Sequence, residues 1–142
     1  MIGRAGLVGA LTVALLSPLE GAWAQESLDS VVVRARAAWL EHRVRDLVAG
    51  SDTVRLRIPG VAVSAAVRPS QAARLLGEYL EAAEEQEFAG HGIRYVAEDH
   101  AYAEFGRRYA VRGTADVRQE TVFFGFRRIA GAWRLREVRV AP

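Results

Sequence analysis

The sequence predicts an α+β domain with an N-terminal helix, a short hairpin, a second helix and a curved four-stranded antiparallel sheet. Three observations predict it. Apolar residues recur every three or four positions in two segments before residue 86, which is helical spacing. From there to the end they alternate with period two, which is strand spacing. No repeat, low-complexity stretch or linker interrupts the 142 residues, so the elements belong to one domain.

Residues 1–24 read as a secretory signal peptide. Arg4 is the only charge before Glu20, Leu7 to Leu16 is apolar or small throughout, and Pro18 breaks the run. Ala22-Trp23-Ala24 then supplies an A-x-A cleavage site. The run is about half of the roughly twenty residues a bilayer span needs, so export with cleavage is expected and no transmembrane segment in the mature chain. The mature domain is expected over 25–142, periplasmic or extracellular.

The first helix is expected over Ser27–Ala49. Val33, Ala37, Leu40, Val44 and Leu47 line one face, and Leu28, Val32 and Trp39 form a strip beside it. Gly50 suits its end. Thr53–Ile58 alternates like a half-buried strand, Pro59-Gly60 marks a turn, and Val61–Val67 is placed to pair back as a hairpin. The second helix is expected over Pro69–Glu85, with Ala72, Leu76, Leu80 and Ala83 on its apolar face. The carboxylates from Glu78 to Glu87 read as a solvated face of that helix, with Arg74 and Glu78 as an i,i+4 pair.

The strands follow. Ile93, Tyr95 and Ala97 alternate; Ala101, Ala103, Phe105, Tyr109 and Val111 share one parity; Val122, Phe124 and Phe126 share another. Trp133 and Leu135 share a parity while Val138 and Val140 take the opposite one, which points to a bulge or a strand buried on both faces. Trp39, Leu40, Val44, Leu76, Leu80, Phe124, Phe126 and Trp133 form the expected core.

Composition excludes several chemistries. There is no cysteine, hence no disulfide, thiolate metal site or cysteine nucleophile. All 19 basic residues are arginine, so no lysine serves as Schiff-base former or general base. His42, His91 and His100 lack metal-ligand spacing, so no metal is expected, and no P-loop, G-x-G-x-x-G or G-x-S-x-G is present. No cofactor and no catalytic residue is assigned.

What remains are candidate binding residues. Arg36 and Arg43, seven apart on the expected helix, read either as a pair aimed inward at a carboxylate or phosphate, or as stems covering apolar surface with heads in water. Glu104, Glu120 and Glu137 lie in strands, and Glu137 shares parity with Trp133 and Leu135. Inward, it reads as a general base; paired with an arginine, as structural. Tyr95, Tyr102 and Tyr109 supply hydroxyl donors, and Trp39 an apolar wall. Charge is segregated: residues 70–100 carry two Arg and seven acids, residues 101–142 nine Arg and four acids. A basic sheet face suits anionic lipid, envelope polysaccharide or an acidic partner. Export argues against nucleic acid.

Val54-Arg-Leu-Arg-Ile-Pro-Gly60, Ser70-Gln-Ala-Ala-Arg-Leu-Leu76, Tyr102-Ala-Glu104, Tyr109 and Gly131-Ala-Trp-Arg-Leu-Arg-Glu-Val-Arg-Val140 follow one another in this order. In this the chain resembles the nuclear transport factor 2-like superfamily, and most of all a family of small exported bacterial proteins of unknown function. The resemblance covers about residues 31–140. It implies a cone, the sheet wrapping a helix. A small anionic or apolar ligand is expected inside, and a homodimer through the exposed sheet face, because Val117, Thr121, Phe123 and Ile129 leave the other parity of the 117–129 strand partly apolar as well. Ketosteroid-isomerase-like members use a carboxylate base inside the cone; no such set aligns here residue by residue. The expected function is a non-catalytic binding module of the bacterial envelope, the alternative an isomerase-like or hydratase-like enzyme.

Overall fold

A computed structural model of the chain describes residues 26–62 and 66–142; the expected signal peptide and its cleavage site lie outside them. The elements are α1 (Leu28–Leu40), α2 (Val44–Val48), β1 (Arg55–Arg57), α3 (Pro69–Glu81), β2 (Ala83–Ala97), β3 (His100–Val111), β4 (Val117–Ile129) and β5 (Ala132–Ala141). The sheet has five strands, not four, in the order β1-β5-β4-β3-β2. β2 to β5 form an antiparallel meander, and β1 adds to β5 in parallel.

The extra strand replaces most of the expected hairpin. Val54 and Val67 exchange two backbone hydrogen bonds of 2.8 and 2.9 Å as an isolated bridge. Arg55 to Arg57 then pair with Glu137 to Arg139. Leu56 is thereby buried next to Val138, while Arg55 and Arg57 face outward. Alternation in one strand does not reveal which neighbour it joins.

The expected single helix over 27–49 is two helices. Ser27 caps α1, its side chain accepting from the Ser30 amide at 3.2 Å. The helix stops at Leu40, and His42 takes a positive φ of 54° in the break. The buried face of α1 is Leu28, Val31, Ala35, Ala38 and Trp39, whereas Val33 is 67% exposed. The expected stripe from Val33 to Leu47 keeps one phase across residues 41–43, where the real chain loses it. Leu40 and Val44 are consequently only partly buried, as is Trp133.

α3 begins with Pro69 at its first turn, where the missing amide costs no hydrogen bond. It ends at Glu81, four residues short of the expected end, because Ala83 starts β2. Glu84, Glu85 and Glu87 therefore belong to a strand, and the acidic run is not one helix face. Arg74 and Glu78 do form the i,i+4 pair at 3.0 Å.

α1 packs on the inner side of the curved sheet. Trp39 stacks on Phe88 at 5.2 Å and Phe88 on Phe105 at 4.4 Å, with Phe124 tilted against all three. Such pairs add about 0.5–1.5 kcal/mol each to their area burial. The parity switch in β5 is a bulge: Gly125 pairs with Glu137 and Phe126 with Leu135, which leaves Arg136 without a partner. Leu135 and Val138 both reach the core because of it.

Candidate functional site

Odd-numbered residues of β3 point to the inner side. Ala101, Ala103 and Phe105 are buried there, and so is Arg107, whose side chain is 0% exposed. Its position between Phe105 and Tyr109 on one strand face puts a guanidinium inside the cone. There it is fully engaged. Nε and Nη2 donate to Glu85 at 3.0 and 2.5 Å, and Nη1 donates to Glu120 at 2.7 Å and to the Tyr79 hydroxyl at 3.0 Å. Its plane lies 3.9 Å from the Tyr109 ring centroid, with Trp39 and Tyr79 at 5.2 and 5.3 Å. Tyr79 in turn donates to Glu120 at 2.5 Å.

Burial pulls the Arg107 guanidinium down, but its hydrogen bonds and charge pairing with Glu85 prevail and hold it above its ordinary value. Burial raises the Tyr79 phenol far above its ordinary value, and its bond to Glu120 raises it further. Burial, then the Glu120 charge, raises Tyr109 as well. The Glu85 side chain is only 4% exposed, and His42 Nε2 stands 3.5 Å from it, buried without a hydrogen bond. Both inward carboxylates thus belong to an arginine. The arrangement holds charge in place and leaves no uncommitted carboxylate among these groups to accept a proton from a substrate.

The open space lies elsewhere on the inner side. A cavity of about 610 Å³ sits between α1, α2 and the β4–β5 end of the sheet. Val31, Ala35, Ala38, Leu47, Phe126 and Leu135 wall it. The small side chains of Ala35 and Ala38 leave the room. Arg34, Arg43 and Arg134 stand at its rim, together with Glu26 and Asp46. Arg34 meets Glu26 at 2.7 Å, and Arg134 donates to the Gly50 carbonyl.

The structure separates the residues that the sequence singles out. Trp39 and Tyr109 belong to the Arg107 cluster. Arg36 and Arg43 do not stack, because the break at His42 comes between them. Arg36 Nε donates to the Phe88 carbonyl at 2.6 Å and ties α1 to β2, while Arg43 pairs with Glu41 and Asp46 at 2.5 and 2.6 Å on the surface. Tyr95 is 60% exposed, edge-on to Trp133 at 6.1 Å. Tyr102, Glu104 and Glu137 lie on the outer face of the sheet. The β5 bulge takes Glu137 out of the parity of Leu135, so the inward placement does not hold. Glu137 accepts from the Tyr102 hydroxyl at 3.1 Å, and Gly125 between them leaves the space for that ring, since a Cβ there would come within 3.0 Å of Tyr102. Burial, then the Glu137 charge, raises the Tyr102 phenol.

Arg107, Glu85 and Tyr79 are absent from the sequence-derived candidates. A signal existed for Arg107, an arginine at the inward parity of an apolar strand face. Glu85 carried none, because its run reads as helix until the start of β2 is known. No group of three or more His, Asp or Glu able to hold a metal occurs among the described residues. No helix there is long and apolar enough to cross a membrane.

No family model matches the sequence. No curated protein matches it either. Solved structures do match its fold. A DUF4783 family protein from Bacteroides uniformis superposes with a TM-score of 0.64 at 14% identity, covering 81% of this chain and 96% of its own. A ketosteroid isomerase-like protein from Erwinia carotovora gives 0.63 at 16% identity, covering 80% and 91%. An NTF2-like protein of unknown function from Pseudomonas putida gives 0.55 at 15% identity, covering 80% and 82%. The chain has the nuclear transport factor 2-like fold.

Proposed function

We propose that this nuclear transport factor 2-like cone is an exported, non-catalytic binding module of the bacterial envelope. Its ligand is a small, mainly apolar molecule with an anionic end, held in the cavity between α1, α2 and the β4–β5 end of the sheet. One observation carries the reading: the inward carboxylates are engaged by Arg107, whereas the open space has an apolar wall and a rim where Arg34, Arg43 and Arg134 outnumber Glu26 and Asp46. Such a cavity buries a hydrocarbon body and leaves guanidinium donors to meet a carboxylate. Arg43 and Arg134 exchange their present partners for the ligand without crossing the core.

Dodecanoate is a suitable probe, with the Trp133 emission as readout, because Trp133 lines the cavity. Ala35→Leu fills the space. Binding is expected in the unaltered chain and a loss of roughly tenfold or more in the filled variant, since overfilled pockets lose shape complementarity. Equal binding by a well-folded Ala35→Leu protein overturns the site. The enzyme alternative is tested separately: turnover of a carbonyl substrate that vanishes in a folded Glu120→Gln variant overturns the non-catalytic reading. Export predicts an N-terminus at Gln25 in protein recovered outside the cytoplasm, and a soluble cytoplasmic chain that retains Met1 contradicts it.

A further inference from the structure

The outer face of the sheet carries three grooves that join end to end. The first, about 400 Å³, and the second, about 730 Å³, share Tyr102; the second and the third, about 370 Å³, share His91. Arg55, Arg127 and Arg136 line the first, Arg94 and Arg139 the second, and Arg108 the third. The β5 bulge contributes to this, because it leaves both Arg136 and Glu137 lining the same groove.

The grooves also hold acids, Asp99 and Glu137 in the first, Glu104 in the second, Glu87 and Glu120 in the third, against eight arginines, so basic residues are in excess by three. Glu137 is held by Tyr102 and stands 3.6 Å from Arg57. Arg55, Arg94, Arg108, Arg127 and Arg139 have no ion pair among the described residues. Arg139 stacks on Phe123 at 4.3 Å instead, and its Nε is buried without a hydrogen bond. On the helical side Arg34, Arg43 and Arg74 each have a carboxylate within 3.0 Å, while Arg45 and Arg68 have no ion pair among the described residues.

We infer that this joined groove is a docking surface for an extended acidic polysaccharide, a chain of sugar carboxylates. Guanidinium groups spaced along a groove match carboxylates spaced along a polymer, each pair forming charge-assisted, forked hydrogen bonds. Single-stranded nucleic acid fits less well, because it needs open aromatic faces for its bases. Phe123 is covered by Arg139, and Tyr102 lies over Gly125. A second copy of the chain on the same face would bring unpaired arginines against one another, and that repulsion opposes the expected homodimer there. The inference is independent of the inner cavity and of its ligand.

The test is calorimetric titration of the mature chain, residues 25–142, with alginate oligomers, which are linear uronic-acid chains. Neutral dextran, oligothymidylate and phosphatidylserine vesicles serve as comparisons. Binding to alginate, weakening as salt rises, is expected, with none to dextran. The triple variant Arg94→Gln/Arg127→Gln/Arg139→Gln is expected to bind roughly tenfold more weakly or worse. Arg45→Gln/Arg68→Gln/Arg74→Gln removes equal charge from the helical side and is expected to change affinity less than about twofold. The double variant Arg94→Gln/Arg127→Gln leaves the Phe123 stack intact and gives the same direction if the first triple folds poorly. Absence of alginate binding overturns the inference. So do equal losses in both triples, tighter binding of oligothymidylate or vesicles, or sedimentation as a dimer that alginate does not displace.

Discussion

Arg107 and Arg108 are neighbours on β3, and alternation sends them to opposite faces of the sheet. Arg107 meets two carboxylates, the Tyr79 hydroxyl and the faces of Trp39, Tyr79 and Tyr109, and its side chain is closed to solvent. Arg108 is exposed and has no ion pair among the described residues. The inner face is a completed electrostatic circuit; the outer face is an open one. The same residue type therefore serves stability on one side and is available for recognition on the other. What decides is whether the opposite strands place a carboxylate within reach, as Glu85 on β2 and Glu120 on β4 do for Arg107.

The largest break in this comparison is Arg107→Ala. It leaves Glu85 and Glu120 buried without their cation, and breaking a buried pair in that way costs about 3–5 kcal/mol. Urea denaturation should show that loss, and a variant that also carries Glu85→Gln and Glu120→Gln should recover part of it. A change under about 1 kcal/mol in Arg107→Ala would make the circuit ornamental. Phenylalanines sharpen the same contrast. Phe124→Ala on the inner face should cost about 3–5 kcal/mol, because it opens a void among Trp39, Phe88 and Phe105. Phe123→Ala, one residue away on the outer face, loses only half-buried area and the Arg139 stack, about 1 kcal/mol. Equal costs would contradict the assignment of faces.

Much of this architecture is legible in the sequence, and the exceptions have physical causes. Period-two runs place Phe105, Phe124 and Phe126 inward, and the parity switch between Leu135 and Val138 announces the bulge. The same bulge reverses Glu137, because a parity count across a bulge fails after the extra residue. Helical period alone does not detect the break at His42, so a stripe drawn through it puts the exposed Val33 on the apolar face and Leu40 and Val44 in the core. The partnership of β1 with β5 depends on residues some eighty positions apart, which local patterning does not encode. At the candidate site Trp39 and Tyr109 are legible as aromatic positions, but their guanidinium partner is hidden among 19 arginines. Glu85 is hidden by its acidic neighbours.

The titration of the tyrosines extends the comparison to pH. In the folded state the Tyr79 phenol ionises above its ordinary value, through burial first and then its bond to Glu120. An unfolded tyrosine releases its proton near pH 10 while the folded one keeps it, so the unfolded chain binds fewer protons above that pH. Stability from this group is complete below about pH 10 and declines as pH rises beyond it. Urea midpoints at pH 9, 10 and 11 should fall, and Tyr79→Phe should flatten the fall. Tyr102 on the outer face, also raised but more open to solvent, should matter less. A Tyr102→Phe variant that flattens the profile more than Tyr79→Phe would reverse the order of the two faces.

The smallest expected effect is the most direct control. Arg108→Ala removes a guanidinium one residue from Arg107, with the same strand geometry and the same formal charge lost. The side chain is exposed, and none of the ion pairs or side-chain hydrogen bonds among the described residues involves it. Its removal exposes no carboxylate to desolvation and opens no cavity in the aromatic cluster. Surface substitutions of this kind stay within about 0.5 kcal/mol. The arginine excess of the outer face makes a slight gain in stability the expected sign, because like charges there repel one another. A urea midpoint within error of the unaltered protein, or slightly above it, is the expected outcome. A loss comparable to that of Arg107→Ala would mean that burial and carboxylate pairing do not separate the two arginines, and with it the contrast between the two faces of β3 would fail.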